Sequence, residues 1–339
     1  MTANIPFDDA TLPPKKVDFC ESWYSPDIKD LPVETRDLFE QYSRIPAEDV
    51  VDHIQKMRSR AWDIYPYPCI GQLRFLNLSL SRHPLYPEVL ARLRPQIDLE
   101  TQRLESLNIS GKSSGISYIH SSPQVLLDLG CCLAQDLRKL VFDGVPSEKL
   151  YGLDVEKGFI DLSYDLFNDH TTFKSQFVIA DMLLADVSRD SALDADSSTD
   201  GLSADSIPAP TSLASLENRI SVVVANSIFH LYNYADQLRL AKRVVRLLSP
   251  ERGSLILGRQ VGSSQPGEYN AVNNQGTRYA HDATSFRRFW DQVAEDIGGG
   301  CKFRVETVLD EEEIGDNKDQ GQHWSEPNNR RMRFGVWRE

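Results

Sequence analysis

The stretch at residues 125–154, VLLDLGCCLAQDLRKLVFDGVPSEKLYGLD, limits what this chain can fold into more than any other. Residues 125–129 form a short apolar run holding one acid, the mark of a buried parallel strand. Gly130 ends the run, and residues 134–141 carry apolar side chains at helical spacing. A second apolar piece, residues 150–153, closes on Asp154. Strand, tight turn, helix, strand and acid make the front half of a βαβ nucleotide-binding unit. Such a turn lets backbone N–H groups approach a ligand at the helix N-terminus. An acid closing the second strand is placed to accept hydrogen bonds from both ribose hydroxyls.

The turn departs from a dinucleotide fingerprint. G-x-G-x-x-G asks for a second glycine where Cys132 stands, and a Cβ there crowds a pyrophosphate. Asp128, inside the first strand, would face those phosphates, whereas it suits a cationic amino group. S-adenosylmethionine meets both conditions: an adenosine for Asp154, a methionine ammonium for Asp128, and no phosphate. The same residues also admit an ordinary βαβ unit that binds nothing.

The chain has 339 residues, room for one large α/β domain with additions or for two small ones, and 40% hydrophobic content supports a sizeable core. A net charge of −13 argues against a general nucleic-acid surface. The opening residues, MTANIPFDDATLPP, are polar and acidic and do not read as a signal peptide. No apolar run approaches the ~20 residues that span a bilayer, so no membrane association is expected. Five cysteines without a CxxC or a regular framework point to a reducing compartment, hence the cytoplasm.

Residues 1–30 read as extended or disordered, with Pro13-Pro14 and Ser25-Pro26 as breakers. Residues 31–115 read as a helical cap. Leu38, Phe39 and Tyr42 recur at helical spacing, and Val50, Val51, Ile54 and Met57 share one face of a second helix. That apolar face suits a lid or a homodimer surface. Residues 60–78, RAWDIYPYPCIGQLRFLNL, bring Trp62, Tyr65, Tyr67 and Phe75 together between Pro66, Pro68 and Gly71. They read equally as a hydrophobic anchor and as a pocket wall for a small apolar substrate. Arg74 is either a surface charge or a carboxylate partner. A further helix starts near residue 83 and is expected to continue to 107, and residues 111–122 read as a Ser/Gly-rich linker.

Beyond Asp154, a helix at 159–167 leads to a strand at 173–180 that ends in Asp181-Met182. A carboxylate there can meet an adenine amino group while the methionine packs on the ring; a turn-capping Asp with a core Met is the plain alternative. Residues 185–213 turn rich in Ser, Asp and Ala and read as a flexible acidic insertion. Residues 220–225 (ISVVVA) form the clearest buried strand, and they run into Asn226, Ser227 and His230 at the edge where such sheets bind ligands. A helix at 234–248 and a strand at 254–258 follow. Residues 259–279, rich in Gly, Asn, Gln and Ser, read as a mobile substrate loop. A helix at 284–297 and strands at 303–309 and 331–337 complete the chain, with a charged hairpin excursion at 310–329.

This order of elements resembles a class I S-adenosylmethionine-dependent methyltransferase. LLDLGCCLAQDLRKL looks like the family's first motif, YGLDV its second, ADM its adenine-binding acid, and NSIFHLYNYADQ with RLLSPERGSLIL its later strand–helix–strand motif. The resemblance implies an α/β fold with a Rossmann-like, mostly parallel seven-stranded sheet and an antiparallel last strand at residues 120–339. It also implies cofactor contacts at Asp128, Gly130, Cys132, Asp154, Val155, Asp181, Met182, Asn226 and Ser227. The DLGCC turn, the FHL segment and YPYPCIGQLRFL are similar to fungal methyltransferases of secondary metabolism. They stand closest to O-methyltransferases of polyketide and meroterpenoid pathways, some of which esterify a carboxyl group. Cys132 and Ala134 stand where many class I enzymes have glycine.

The implied reaction is displacement of a methyl group from S-adenosylmethionine onto an oxygen of an apolar acid or phenol. Trp62, Tyr65, Tyr67 and Arg74 are the candidate substrate contacts. His230 is the candidate base or orienter, because it follows a strand at the ligand edge and has a suitable pKa range. No cluster has metal-ligand spacing, and no G-x-S-x-G elbow is present. The alternatives are a regulatory protein on the same fold and an NAD-dependent dehydrogenase, against which Cys132 argues.

Overall fold

A computed structural model of the chain describes residues 24, 28, 30–95, 124–184, 212–271, 276–313 and 328–339. Most of the expected extended N-terminus, the linker at 111–122 and nearly all of the acidic insertion lie outside the described residues.

The central sheet is laid down by short runs of Leu and Val too apolar to face water on either side. Its strands are β1 (Leu126–Leu129), β2 (Leu150–Asp154), β3 (Gln176–Ile179), β4 (Val222–Val224) and β5 (Leu255–Ser263). A small hairpin, β6 (Gly267–Asn270) and β7 (Thr277–Ala280), stands apart. The last two strands are β8 (Phe303–Glu313) and β9 (Asn329–Arg338). The seven-stranded order is β3-β2-β1-β4-β5-β9-β8, with β1 to β5 parallel and β9 antiparallel to both neighbours. The fold class expected from the sequence is the one observed. Chain order reverses between β1 and β4, so their carboxyl ends open the crevice where such sheets take ligands.

Alternation along the strands sorts side chains to two faces. Leu127, Leu129, Val223 and Ile256 face α7 (Tyr234–Leu247) and α8 (Ala283–Ile297). Leu126, Val222, Val224, Leu255 and Leu257 face α4 (Tyr86–Leu93) and α5 (Gln135–Phe142). Nearly all are fully buried, and each such side chain contributes about 1.5–3 kcal/mol by leaving water. Asp282 caps α8 through a capping box with Ser285, satisfying orphan N–H groups at its start.

The N-terminal elements are α1 (Val33–Asp37), a wider helical turn at Leu38–Tyr42, α2 (Val50–Ile64), the one-turn α3 (Pro68–Gly71) and a 3-10 turn at Arg74–Asn77. The apolar face of α2 (Val50, Ile54, Met57, Ala61) packs on Phe159, Leu162, Leu166 and Phe167 of α6 (Lys157–Phe167). It is therefore packed inside the chain and is not an exposed face for a second copy.

Three expectations change. Helix α4 stops at Leu93, where Arg94 is extended at ψ 148°, as a residue before Pro95 tends to be, and the rest of the helix expected to 107 lies outside the described residues. The stretch at 259–279 is largely strand, because β5 pairs with β9 in register from Leu255↔Trp337 to Ser263↔Asn329 and β6–β7 follow. The strand expected at 173–180 is confined to Gln176–Ile179.

Candidate active site

The turn after β1 folds tightly. Gly130 and Cys131 both donate their N–H to Leu153 O, at 2.7 and 2.9 Å. Gly130 sits at φ +70°, and a Cβ there would lie 2.2 Å from Ile228 Cδ1. Cys132 (φ +51°) and Ala134 (φ +50°) are left-handed too. The backbone thus keeps the conformation glycine favours although the glycines are gone, at a cost of about 1–2 kcal/mol per residue.

Asp154 ends β2 and is nearly buried. Its Oδ2 accepts from Cys132 N at 2.8 Å and its Oδ1 from Glu156 N at 2.9 Å. Each oxygen keeps a further lone pair for a hydroxyl. Burial raises its pKa, and the backbone donors oppose that. Val155 is exposed beside it. Asp128 is 3% exposed, and its carboxyl makes no hydrogen bond among the described residues. Burial, then Asp136 and Asp154, push its pKa well up. An acid in that state is stabilised by a cation.

Asp181 turns back on its own chain, Oδ1 accepting from Leu183 N at 2.7 Å, and Met182 is buried in the core with Val178 and Leu153. The turn-capping alternative accounts for both contacts. The Asn226 amide is engaged within the chain on both of its ends. Its Oδ1 accepts from Arg259 N at 3.1 Å and its Nδ2 donates to Asp136 Oδ2 at 3.3 Å. Ser227, left-handed at φ +60°, donates its N–H to Arg259 O at 2.7 Å.

The aromatic segment divides. Tyr67 lies over the turn: Asp154, Cys69 and Cys132 all bear on its hydroxyl, which burial pushes well up. Cys69 and Cys132 pack against the same hydrophobic cluster, so α3 rests on the turn. Tyr65 stacks on Tyr67 at 4.2 Å between ring centres. Trp62 stands edge-on to Tyr24 at 5.3 Å and packs half-buried against the cluster around α2.

His230 lies in a 3-10 turn, Phe229–Leu231, and its Nδ1 is buried without a hydrogen-bond partner among the described residues. Burial first, then the charges of Arg278, Arg259 and Arg74, push its pKa down to about 3. It is neutral at physiological pH. The turn is held by Gln237, whose Nε2 donates to Tyr232 O and Tyr279 O at 2.9 and 2.8 Å. That leaves Gln237 Oε1 to accept from His281 Nε2 at 3.2 Å.

Sequence reasoning missed Arg259, Arg278 and Tyr232. Arg259 and Arg278 lay in a segment read as loop. Tyr232, pushed up to about 12 by burial and then by Asp181, lies near Asp154 as well. The crevice is therefore bipolar, with Asp128, Asp136 and Asp154 around the β1 turn and Arg74, Arg259 and Arg278 around His230. No group of three or more metal-binding side chains occurs among the described residues, and none of their helices is long and apolar enough to cross a membrane.

A Rossmann-like sheet of this order, with an acid-lined turn at its switch point, defines a class I methyltransferase fold. Residues 23–76 match the meroterpenoid methyltransferase N-terminal domain family. An O-methyltransferase of a fungal species is 36% identical over 86% of this chain and 81% of its own length. An O-methyltransferase of Stereocaulon alpinum is 35% identical over 93% and 75%, and the asnovolin E/chermesin D methyltransferase of Aspergillus novofumigatus is 33% identical over 78% and 77%. The chain belongs to this family of fungal methyltransferases. Among solved structures, an S-adenosylhomocysteine-bound methyltransferase of Burkholderia thailandensis is a remote likeness, with TM-score 0.39 and 11% identity over 64% of this chain and 72% of that one.

Proposed function

We propose that this protein is an S-adenosylmethionine-dependent O-methyltransferase that esterifies the carboxylate of a small, largely apolar secondary metabolite in the cytoplasm. The observation that carries the reading is the bipolar crevice at the switch point of the sheet. The residues fit the cofactor: Asp128 is a buried carboxyl with no hydrogen bond of its own, set to receive an ammonium. Asp154 is placed for the ribose hydroxyls, with Gly130, Cys132 and Val155 around it and Tyr67 above. When bound, S-adenosylmethionine supplies an electrophilic methyl group on a sulfonium.

The chain's own residues supply placement. Holding acceptor and donor in line can contribute up to about 7–11 kcal/mol of the barrier. A carboxylate is already ionised near neutral pH, so the transfer moves no proton: the acceptor oxygen gains the methyl and S-adenosylhomocysteine leaves. A phenol, with a pKa of about 10, needs a base, and a His230 with its pKa near 3 is a poor one. We read His230 as a neutral hydrogen-bonding orienter. Arg74 is half-buried on the same side and suits the acceptor's negative charge, with Tyr65 beside the carbon skeleton.

The test is transfer of labelled methyl to a panel of aromatic and terpenoid acids, followed by mild base. A methyl ester releases the label as methanol, as expected here. A base-stable product identifies a phenol ether and overturns the carboxylate assignment. A protein that binds the cofactor and transfers to none of the panel contradicts the catalytic reading.

A further inference from the structure

Arg259 stands out among the cations of the crevice. It continues β5 past Gly258, where the carboxyl edge of the sheet meets the β4 turn. Leu255 and Leu257 lie on the sheet face covered by Leu80 and Tyr86, and alternation puts the Arg259 side chain on that same face. Its backbone is fixed on both sides: the carbonyl by Ser227 N at 2.7 Å and the N–H by Asn226 Oδ1 at 3.1 Å. Asn226 is itself tied to Asp136, whose other oxygen accepts from Leu80 N at 3.2 Å. One hydrogen-bonded chain therefore runs from the N-terminal segment that carries Arg74 to the strand that carries Arg259.

The guanidinium is in the opposite state to this well-anchored backbone. Nε is buried without a partner, and the group makes no hydrogen bond among the described residues. The charges that bear on it most are Arg331, Asp136, Arg74 and Arg82, so three cations outweigh one acid. With burial leading, these push its pKa down to about 10, still far above neutrality. Asp136 cannot neutralise the cluster alone, because one carboxylate carries a single charge against Arg259, Arg331, Arg74 and Arg82. A guanidinium carries its donors in a fixed planar fork that matches the two oxygens of a carboxylate. A folded chain that holds such a fork beside His230, with no acceptor of its own for it, has a position for an external anion.

We propose that Arg259 is the specificity-determining residue for the acceptor: its guanidinium engages the anionic group to be methylated, and Asn226 positions it. The proposal rests on the methyl-transfer reading and deepens it. It explains why the crevice divides by charge. The ammonium and ribose of the cofactor go to the acids, and the acceptor's oxygens go to Arg259 and Arg74.

The test uses 2-naphthoate and 2-naphthamide, planar molecules of nearly one shape that differ in charge. Binding of each is measured on the full chain saturated with S-adenosylhomocysteine. The wild type should prefer the naphthoate by about tenfold or more. Arg259→Gln should abolish that preference while leaving affinity for S-adenosylhomocysteine unchanged. Arg259→Lys, which keeps the charge and loses the fork, should retain only part of it. An undiminished preference in Arg259→Gln overturns the assignment, as does a wild type that shows no preference. Should Arg259→Gln lose S-adenosylhomocysteine binding through misfolding, Arg259→Lys decides, and a full preference there overturns the fork. A wild type that fails to bind S-adenosylhomocysteine overturns the methyl-transfer reading itself, a separate result.

Discussion

Gly130 and Ala134 occupy the same turn and answer opposite demands. Gly130→Ala adds a Cβ at φ +70° and drives it to 2.2 Å from Ile228 Cδ1. Left-handed strain should cost about 1–2 kcal/mol of stability, read from urea unfolding, while the terminal methyl of Ile228 swings aside. Ala134→Gly relieves about 1–2 kcal/mol of left-handed strain but gives up about 0.5–1 in chain entropy and about 0.8 for a buried methyl. It should fall within about 0.8 kcal/mol of wild type; a larger loss would show that the strain is not there. His230 gives a second test at this scale. With a carboxylate acceptor the rate should be flat between about pH 6 and pH 9, and His230→Asn should cost about tenfold or less. A loss of about 10²–10⁴ with an acid limb would restore the general base. In the sequence, Asp128, Asp154 and His230 were legible because each closes or interrupts an apolar run. Arg259 was not, since a lone cation in a polar stretch reads as solvated until its burial is known.

Several elements are joined by one buried ion pair. Arg138 of α5 binds Asp169, Nε to Oδ2 at 2.9 Å and Nη2 to Oδ1 at 3.2 Å, and Tyr42 donates to Asp169 Oδ2 at 2.7 Å. The guanidinium also lies 3.7 Å from the Phe173 ring centre. The N-terminal helices are thereby held to the sheet domain by a group removed from water. Asp169→Ala strands a buried cation and should cost about 3–5 kcal/mol, seen as a lowered urea midpoint. A change under 1 kcal/mol would mean that Arg138 finds another acceptor. Helices α2, α6, α7 and α8 were legible from their 3.6-residue spacing. The far end of β5 was hidden for a physical reason: Arg259, Gln260 and Ser263 are polar yet inside the sheet, where the strand lies in register with β9 and its main chain is bonded to the β4 turn and to His281. Composition reports side chains, whereas the ladder is built by main chain.

Among the described residues, burial lowers the pKa of three histidines. His83 is pushed down to about 4, and His230 and His281 to about 3, in each case first by burial. Their folded pKa values lie below the unfolded value near 6.5, so the unfolded chain binds more protons. The stability they support is present above about pH 6.5 and is lost as pH falls toward 4. Asp136, raised to about 6 by burial, works in the other direction. His281→Gln removes one titrating group, so its stability relative to wild type should improve by about 1.4 kcal/mol per pH unit below about pH 6.5. A constant difference from about pH 7 to pH 4.5 would show that His281 takes up its proton in the fold as readily as in the unfolded chain. At this scale the class of sheet, mostly parallel with an antiparallel last strand, was legible, because parallel strands separated by helices leave few arrangements. The division of the crevice by charge was not, since its cations come from Arg74, Arg259 and Arg278, far apart in the chain.

The account turns on the acid pole of that crevice, and calorimetric titration with S-adenosylmethionine and S-adenosylhomocysteine tests it most directly. Both should bind wild-type protein in the micromolar range, and Asp154→Asn should weaken both by about tenfold or more. Failure of either to bind, or an affinity untouched by Asp154→Asn, would contradict the assignment of the crevice as a methyl-donor site.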